Sequence, residues 1–249
     1  MTTASTFEFV PLRRVCAAAE RPAHAYYTAK RFLDCTTAAA LLFIVLPLCV
    51  LVVLLIKLDS RGPALFKQQR VRSRRIVHNG VTSWELATFT FYKFRTMCVD
   101  EHEATHRAYM TAYIKNDIEY FSSRSGGYVH GESFRAKDDP RVTRVGRVLR
   151  KLSLDELPQL LNVLRGEMSI VGPRPPMPYE VDLYDDAQLQ RLTATVGVTG
   201  WSQVNGRCTI GFEDLVRLDV EYARRQSFLF DLWILLRTVP AVLSRKGAD

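Results

Sequence analysis

Thr36 to Ile56 holds no charged side chain: TTAAALLFIVLPLCVLVVLLI. As a helix rising ~1.5 Å per residue it reaches roughly 30 Å, the thickness of a bilayer's hydrocarbon core. The segment reads poorly as a signal peptide. It starts late, its apolar run is long, and it is followed by Lys57, Leu58 and Asp59 rather than by a small-residue cleavage site. Both flanks are basic. Arg13, Arg14, Arg21, Lys30 and Arg31 precede it; Lys57, Arg61, Lys67, Arg70, Arg72, Arg74 and Arg75 come after it. A spanning helix is usually richer in Lys and Arg on its cytoplasmic side. Here the bias favours a cytoplasmic C-terminal side without forcing the N-terminus across. Pro47 stands near the middle, where a missing backbone donor tends to kink a helix. A spanning helix and one that re-enters the face it left both satisfy this pattern.

No second run of this kind occurs, so the rest of the 249 residues suits one domain on the membrane. Hydrophobic residues make up 47% of the chain, which excludes global disorder. The net charge of +8 points to nucleic acid, an anionic membrane surface or phosphorylated substrates. The five cysteines are scattered without metal-ligand spacing and read as reduced, buried thiols. Residues 84–96 are aromatic and β-branched and predict a strand or hairpin arm. Asp100 to Lys115 reads as a helix, Ser122 to Gly131 as a loop, and most of the chain from that loop to Trp201 as helix or turn.

Two stretches suit an interface. In 144–152 (RVGRVLRKL), Val145, Val148, Leu149 and Leu152 keep helical spacing among cations, as in a basic amphipathic helix for anionic headgroups or bound phosphates. In 228–243, Asp231, Arg237 and Pro240 argue against a second span and leave an interfacial or a core helix.

The densest polar motif is Ser153-Leu154-Asp155-Glu156-Leu157-Pro158-Gln159-Leu160. It has a structural explanation: Ser153 and Glu156 have capping-box spacing, or Asp155 is an N-cap with Pro158 in the first turn. It also has a chemical one. A carboxylate at a helix N-terminus stays ionised, the same end attracts phosphate, and a cation between them permits nucleophilic attack. An adjacent Glu suits Mg²⁺, which takes carboxylate plus substrate phosphate oxygens. Lys93, Arg95, Arg174 and Arg207 are cations that a fold can bring to such a pair, and no GxGxxG or Walker loop competes for a nucleotide.

These blocks, from about Lys30 to Thr238, resemble the bacterial sugar transferases, monotopic phosphoglycosyl transferases that prime polysaccharide synthesis. The matching stretches are KRFLDCTTAAA…IKLDSRGPALFKQQR, YKFRTM, KDDPRVTRVGRVLRKLSLDELPQLLNVLRGEMSIVGPRP, GVTGWSQVNGR and LDVEYARRQSFLFDLWILLRT. The resemblance implies transfer of a sugar phosphate from a UDP-sugar to polyprenyl phosphate at the cytoplasmic face of a bacterial inner membrane, with release of UMP. It implies Asp155 as covalent nucleophile, Glu156 as ligand of Mg²⁺, and Lys93, Arg95, Arg150, Arg174 and Arg207 as handlers of substrate phosphate. It further implies a membrane helix broken at Pro47. Leu46 stands where the family often has Ser, and Val196-Gly197 where it often has Pro-Gly, which should only soften a turn.

The fold expected is α/β and mostly helical. It comprises a cytosolic extension (1–29), a re-entrant membrane helix (30–58) and a catalytic domain (59–249) with a short β element and amphipathic interfacial helices. The partners expected are UDP-sugar, polyprenyl phosphate and phospholipid, without nucleic acid, and self-association is left open. Rival readings are a membrane-associated glycosyltransferase that releases UDP and a non-catalytic basic membrane scaffold.

Overall fold

The computed structural model describes residues 14–16, 24–78, 81–98, 103–117, 119–120, 141–206 and 210–243. Arg207, Cys208, the Ser122–Gly131 loop and most of 1–29 lie outside the described residues.

The apolar segment lies within α1 (His24–Asp59), a helix of 36 residues that begins several residues before the expected boundary. Among the described residues it is the one helix long and apolar enough to cross a membrane. Its helical backbone runs through Pro47 without interruption, unlike the break that the resemblance implied. An isolated proline removes one i→i−4 hydrogen bond, which a long helix absorbs when its flanking turns are intact.

Both ends of α1 are fastened to the same folded body. Near its start, Lys30 Nζ lies 2.7 Å from Asp231 Oδ2, and Asp34 Oδ1 accepts from the Ile170 amide at 3.1 Å. Arg31 donates to the carbonyls of Val163 and Leu164. Near its end, Asp59 Oδ2 accepts from the Val145 amide at 3.0 Å, and Val52 and Ile56 are buried against Phe94 and Leu149. Between these anchorages Ala39 to Leu51 includes no buried residue; Phe43 is 81% exposed and Ile44 70%.

β2 (Leu65–His78) and β3 (Val81–Phe94) pair antiparallel over 14 residues each, and β1 (Arg14–Cys16) adds to the other edge of β3. β3 is the expected strand. Its partner was hidden because cations interrupt the apolar alternation of β2, and one of them, Arg70, is buried. Leu86, Phe89 and Phe91 of β3 form the main core with Leu160, Val163, Met168 and Leu192. α2 (Glu103–Lys115) confirms the helix expected there.

Next come α3 (Arg144–Lys151), a 3₁₀ turn (Leu154–Glu156), α4 (Gln159–Leu164) and β4 (Ser169–Val171). Two short helices, α5 (Pro178–Val181) and α6 (Asp186–Leu189), and a second 3₁₀ turn lead to β5 (Gly197–Thr199). β4 and β5 pair in parallel, Ser169 opposite Gly197 and Val171 opposite Thr199. Three-residue strands carry too little alternation to be read from sequence. Val196 is fully buried and Gly197 opens a strand, so this dipeptide does not soften a turn as expected. The chain closes with α7 (Trp201–Asn205), α8 (Phe212–Arg225) and α9 (Phe228–Leu243). α9 is neither all core nor all surface. Ile234 is fully buried, while Leu229 is 81% exposed and Leu236 64%.

Candidate active site

Two elements bring Asp155 and Glu156 to one place. α3 is pressed onto the end of β3, since a Cβ at Gly146 would stand 2.1 Å from the Thr96 carbonyl oxygen. Thr143 caps α3 by accepting from the Gly146 amide at 2.9 Å. The chain then reverses at Ser153, whose φ of 55° lies in the left-handed region that costs a residue with a Cβ about 1–2 kcal/mol. Strained backbone of this kind concentrates at functional sites. The reversal presents the turn Leu154–Glu156 to β3, and Pro158 starts α4 directly behind it.

Neither capping arrangement forms. Ser153 makes no side-chain cap hydrogen bond, and Pro158, not Asp155, occupies the N-cap of α4. The positive φ of Ser153 turns its hydroxyl away from the geometry a capping box requires.

The carboxylates face Lys93, near the end of β3. Lys93 Nζ donates to Asp155 Oδ2 at 3.3 Å and to Glu156 Oε1 at 2.9 Å. Arg174 Nη1 stands 3.7 Å from the same Glu156 oxygen. Asp155 is 8% exposed, so its charge is compensated by Lys93 and not by bulk water. Lys93, Asp155, Glu156 and Arg174 therefore form one site. Arg150 borders it, donating from Nε to Thr96 Oγ1 at 2.9 Å. Arg95 points elsewhere. Its guanidinium donates to Arg61 O, to Ser60 O at 2.8 Å and to Ser60 Oγ at 3.0 Å, securing the chain where it leaves α1. Side chains alternate along a strand, so Lys93 and Arg95 flank Phe94 and share a face, yet the chain leaving α1 takes up the second cation. Arg207 lies outside the described residues.

Two supporting residues were missed by sequence reasoning. Asn162, fully buried in α4, acts as a short extra strand. Its Oδ1 accepts from the Tyr92 amide at 3.2 Å and its Nδ2 donates to Thr90 O at 2.7 Å. That fixes α4 against β3 one residue from Lys93. A polar residue inside the apolar run Gln159–Leu164 was the available signal. The second is Arg70. Its Nη1 donates to Pro175 O at 3.1 Å, while Nε and Nη2 donate to Gln68 Oε1. Burial and then the like charge of Arg174 pull the Arg70 guanidinium down to about 10.

The proline-rich loop that carries Arg174 is held at four successive carbonyls. Pro173 accepts from the Gly197 amide, Arg174 from Arg191, Pro175 from Arg70 and Pro176 from the Val71 amide. Arg191 is fixed in turn by buried Asp219 at 2.6 Å. Arg174 thus stands on rigid backbone, although its side chain is 41% exposed and open to a ligand.

Among the described residues, no group of three or more His, Cys, Asp or Glu side chains is placed to hold a metal ion. Two adjacent carboxylates still fit Mg²⁺, which commonly takes one or two protein carboxylates and completes its shell with phosphate oxygens and water.

Known proteins resemble this chain over most of its length. The family described as bacterial sugar transferase matches residues 25–245. The exopolysaccharide production protein ExoY of Sinorhizobium fredii is 40% identical over 220 residues, 88% of this chain and 87% of that protein. The galactosyl transferase CpsE of Streptococcus agalactiae is 39% identical over 227 residues, 90% of this chain but 44% of CpsE. The undecaprenyl-phosphate galactose phosphotransferase of Salmonella typhimurium is 36% identical over 219 residues, 88% of this chain and 41% of that protein. The chain therefore spans less than half of some relatives and most of others. With 25–245 matched and ExoY covered nearly end to end, the chain belongs to the bacterial sugar transferase family.

Proposed function

We propose that the protein transfers a sugar phosphate from a UDP-sugar to polyprenyl phosphate at the cytoplasmic face of a bacterial membrane, releasing UMP. The observation that carries this reading is the buried Asp155 beside Glu156, held by Lys93 and Arg174 at the root of a membrane-suited helix. The names of relatives such as the Salmonella undecaprenyl-phosphate galactose phosphotransferase supply the acceptor class.

Asp155 attacks the β-phosphorus of the donor. The bond from that phosphorus to the bridging oxygen breaks, and UMP departs with the electron pair. The sugar phosphate is then esterified to Asp155. A phosphate oxygen of the acceptor attacks the same phosphorus, the bond to Asp155 breaks, and the carboxylate is regenerated as the lipid diphosphate sugar leaves. Splitting the reaction lets two bulky substrates use one nucleophile in turn. Lys93 orients Asp155 through its ammonium contact, and Arg174 offers its exposed guanidinium to diphosphate charge. Mg²⁺, held by Glu156 and Asp155, would supply further neutralisation of that charge.

The anchor reading is supported by the two ends of α1. Asp34 and Val52 are both fastened to one body, while Ala39 to Leu51 between them includes no buried residue. A helix that enters and returns leaves that body on one side. The exposed leucines of α9 suit the same interface.

Purified protein in nanodiscs with Mg²⁺, polyprenyl phosphate and a panel of UDP-sugars tests the function. UMP release that requires both the lipid and Asp155 is expected. UDP release, or UMP release undiminished in Asp155→Asn, would overturn the reading.

A further inference from the structure

The four apolar residues of 144–152 do not share one environment. Leu149 is buried and Val145 half-buried against Val52 and Ile56 of α1, whereas Val148 is 55% exposed and Leu152 40%. Val148 and Leu152 are one turn apart, and the exposed cations Arg144, Arg147 and Lys151 run alongside them at the same helical spacing. The fourth cation, Arg150, is turned inward to Thr96. Arg144, Arg147 and Lys151 form no ion pair among the described residues. The outward face of α3 is therefore an apolar strip beside a cationic strip that meets no acidic partner among the described residues. It borders α1, whose Leu54, Leu55 and Leu58 are exposed near the anchorage of Asp59 to Val145. Its C-terminal end leads through the Ser153 reversal into the turn that carries Asp155.

We propose that this face of α3 is the docking site for the acceptor lipid, its phosphate on Arg147 and Lys151 and the first part of its chain along Val148 and Leu152. The inference rests on the acceptor class in the proposed function. The charge complementarity is direct, since a phosphate monoester carries up to two negative charges and no acidic residue interrupts 144–152. The apolar strip answers a feature that a free phosphate lacks, a hydrocarbon chain joined to the anion. Proximity to Asp155 favours the acceptor over a bulk phospholipid, which has no need to be held beside the nucleophile. Separate cations for acceptor and donor also leave Lys93 and Arg174 to the diphosphate.

The test uses the full chain in neutral phosphatidylcholine nanodiscs, with polyprenyl monophosphate as probe. Two quantities are read: equilibrium binding of the probe, and phosphosugar labelling of Asp155 by UDP-sugar without acceptor. Arg147→Gln with Lys151→Gln is expected to weaken probe binding on the order of ten-fold and leave the labelling unchanged. Arg147→Lys with Lys151→Arg should restore binding. Val148→Ser with Leu152→Ser should weaken binding of the lipid but not of a short-chain phosphate analogue. Three results would overturn the proposal: unchanged binding in the glutamine variant, loss of labelling in step with binding, or displacement of the probe by phosphatidylglycerol. The last would make the face a general anionic-lipid surface. Weakened binding without labelling of the wild-type protein would uphold the docking site and instead sink the covalent mechanism.

Discussion

At the scale of single residues, one ammonium group does the most. Lys93 touches both carboxylates, so its removal leaves Asp155 buried beside Glu156 with less compensation. Lys93→Ala is expected to lower the rate of UMP release on the order of 100-fold while far-UV circular dichroism stays that of the wild type. Arg95 should behave differently although it lies two residues away. Its three acceptors at Ser60 and Arg61 are backbone and hydroxyl oxygens. Arg95→Ala should cost about 2–3 kcal/mol of stability in denaturant titrations, with any loss of activity tracking the loss of folded protein. This contrast marks how far the site was legible. Asp155 and Glu156 stood out because a dense polar motif sits between two apolar helical patterns, and Arg174 because prolines stiffen its loop. The direction in which each cation points was not legible. It depends on which carbonyls arrive from other parts of the chain, and those of Ser60 and Arg61 reach Arg95 from the turn that joins α1 to β2.

At the scale of elements, the site depends on α4 keeping its register on β3. Asn162 sets that register with two hydrogen bonds around Phe91. Asn162→Leu keeps the branched shape and removes both bonds, which leaves a buried amide and carbonyl of β3 unmatched. A loss of about 2–3 kcal/mol is expected in urea unfolding, and amide exchange should quicken first at Tyr92. The two-stranded sheet under the Arg174 loop is as demanding. A Cβ on Gly172 would lie 2.0 Å from the Thr195 carbonyl oxygen, and one on Gly197 would lie 2.1 Å from the Gly172 amide nitrogen. Gly172→Ala should therefore destabilise by about 2 kcal/mol or more, measured as a lower melting temperature. Long elements such as α1, α2 and β3 declared themselves by period and composition. The short strands β4 and β5 did not, because backbone contact between glycines holds them together, and that contact leaves no hydrophobic alternation to read.

At the scale of the whole molecule, the arrangement of α1 sets where chemistry takes place. Its exposed apolar middle lies between two anchorages on a single body, which places Asp155 near the level of the lipid phosphates if the helix returns to the face it entered. In a variant without native cysteines, single cysteines at Thr28 and at Arg61 should then react with a membrane-impermeant thiol reagent only after the cytoplasmic side is opened. Reaction of one position from outside intact cells would establish a spanning helix. The basic flanks made both topologies legible in the sequence. The attachment of both ends could not be read there, because it relies on partners such as Asp231, 201 residues from Lys30.

The central claim is that Asp155 carries the phosphosugar between donor and acceptor. The most direct measurement is the mass of the peptide containing Asp155 after the protein meets its UDP-sugar with Mg²⁺ and without acceptor. The account predicts an added sugar phosphate on Asp155 that disappears when polyprenyl phosphate is supplied and never forms in Asp155→Asn. An unmodified peptide from protein that turns over rapidly once the lipid is present would contradict it, and would mean that the acceptor attacks the donor directly.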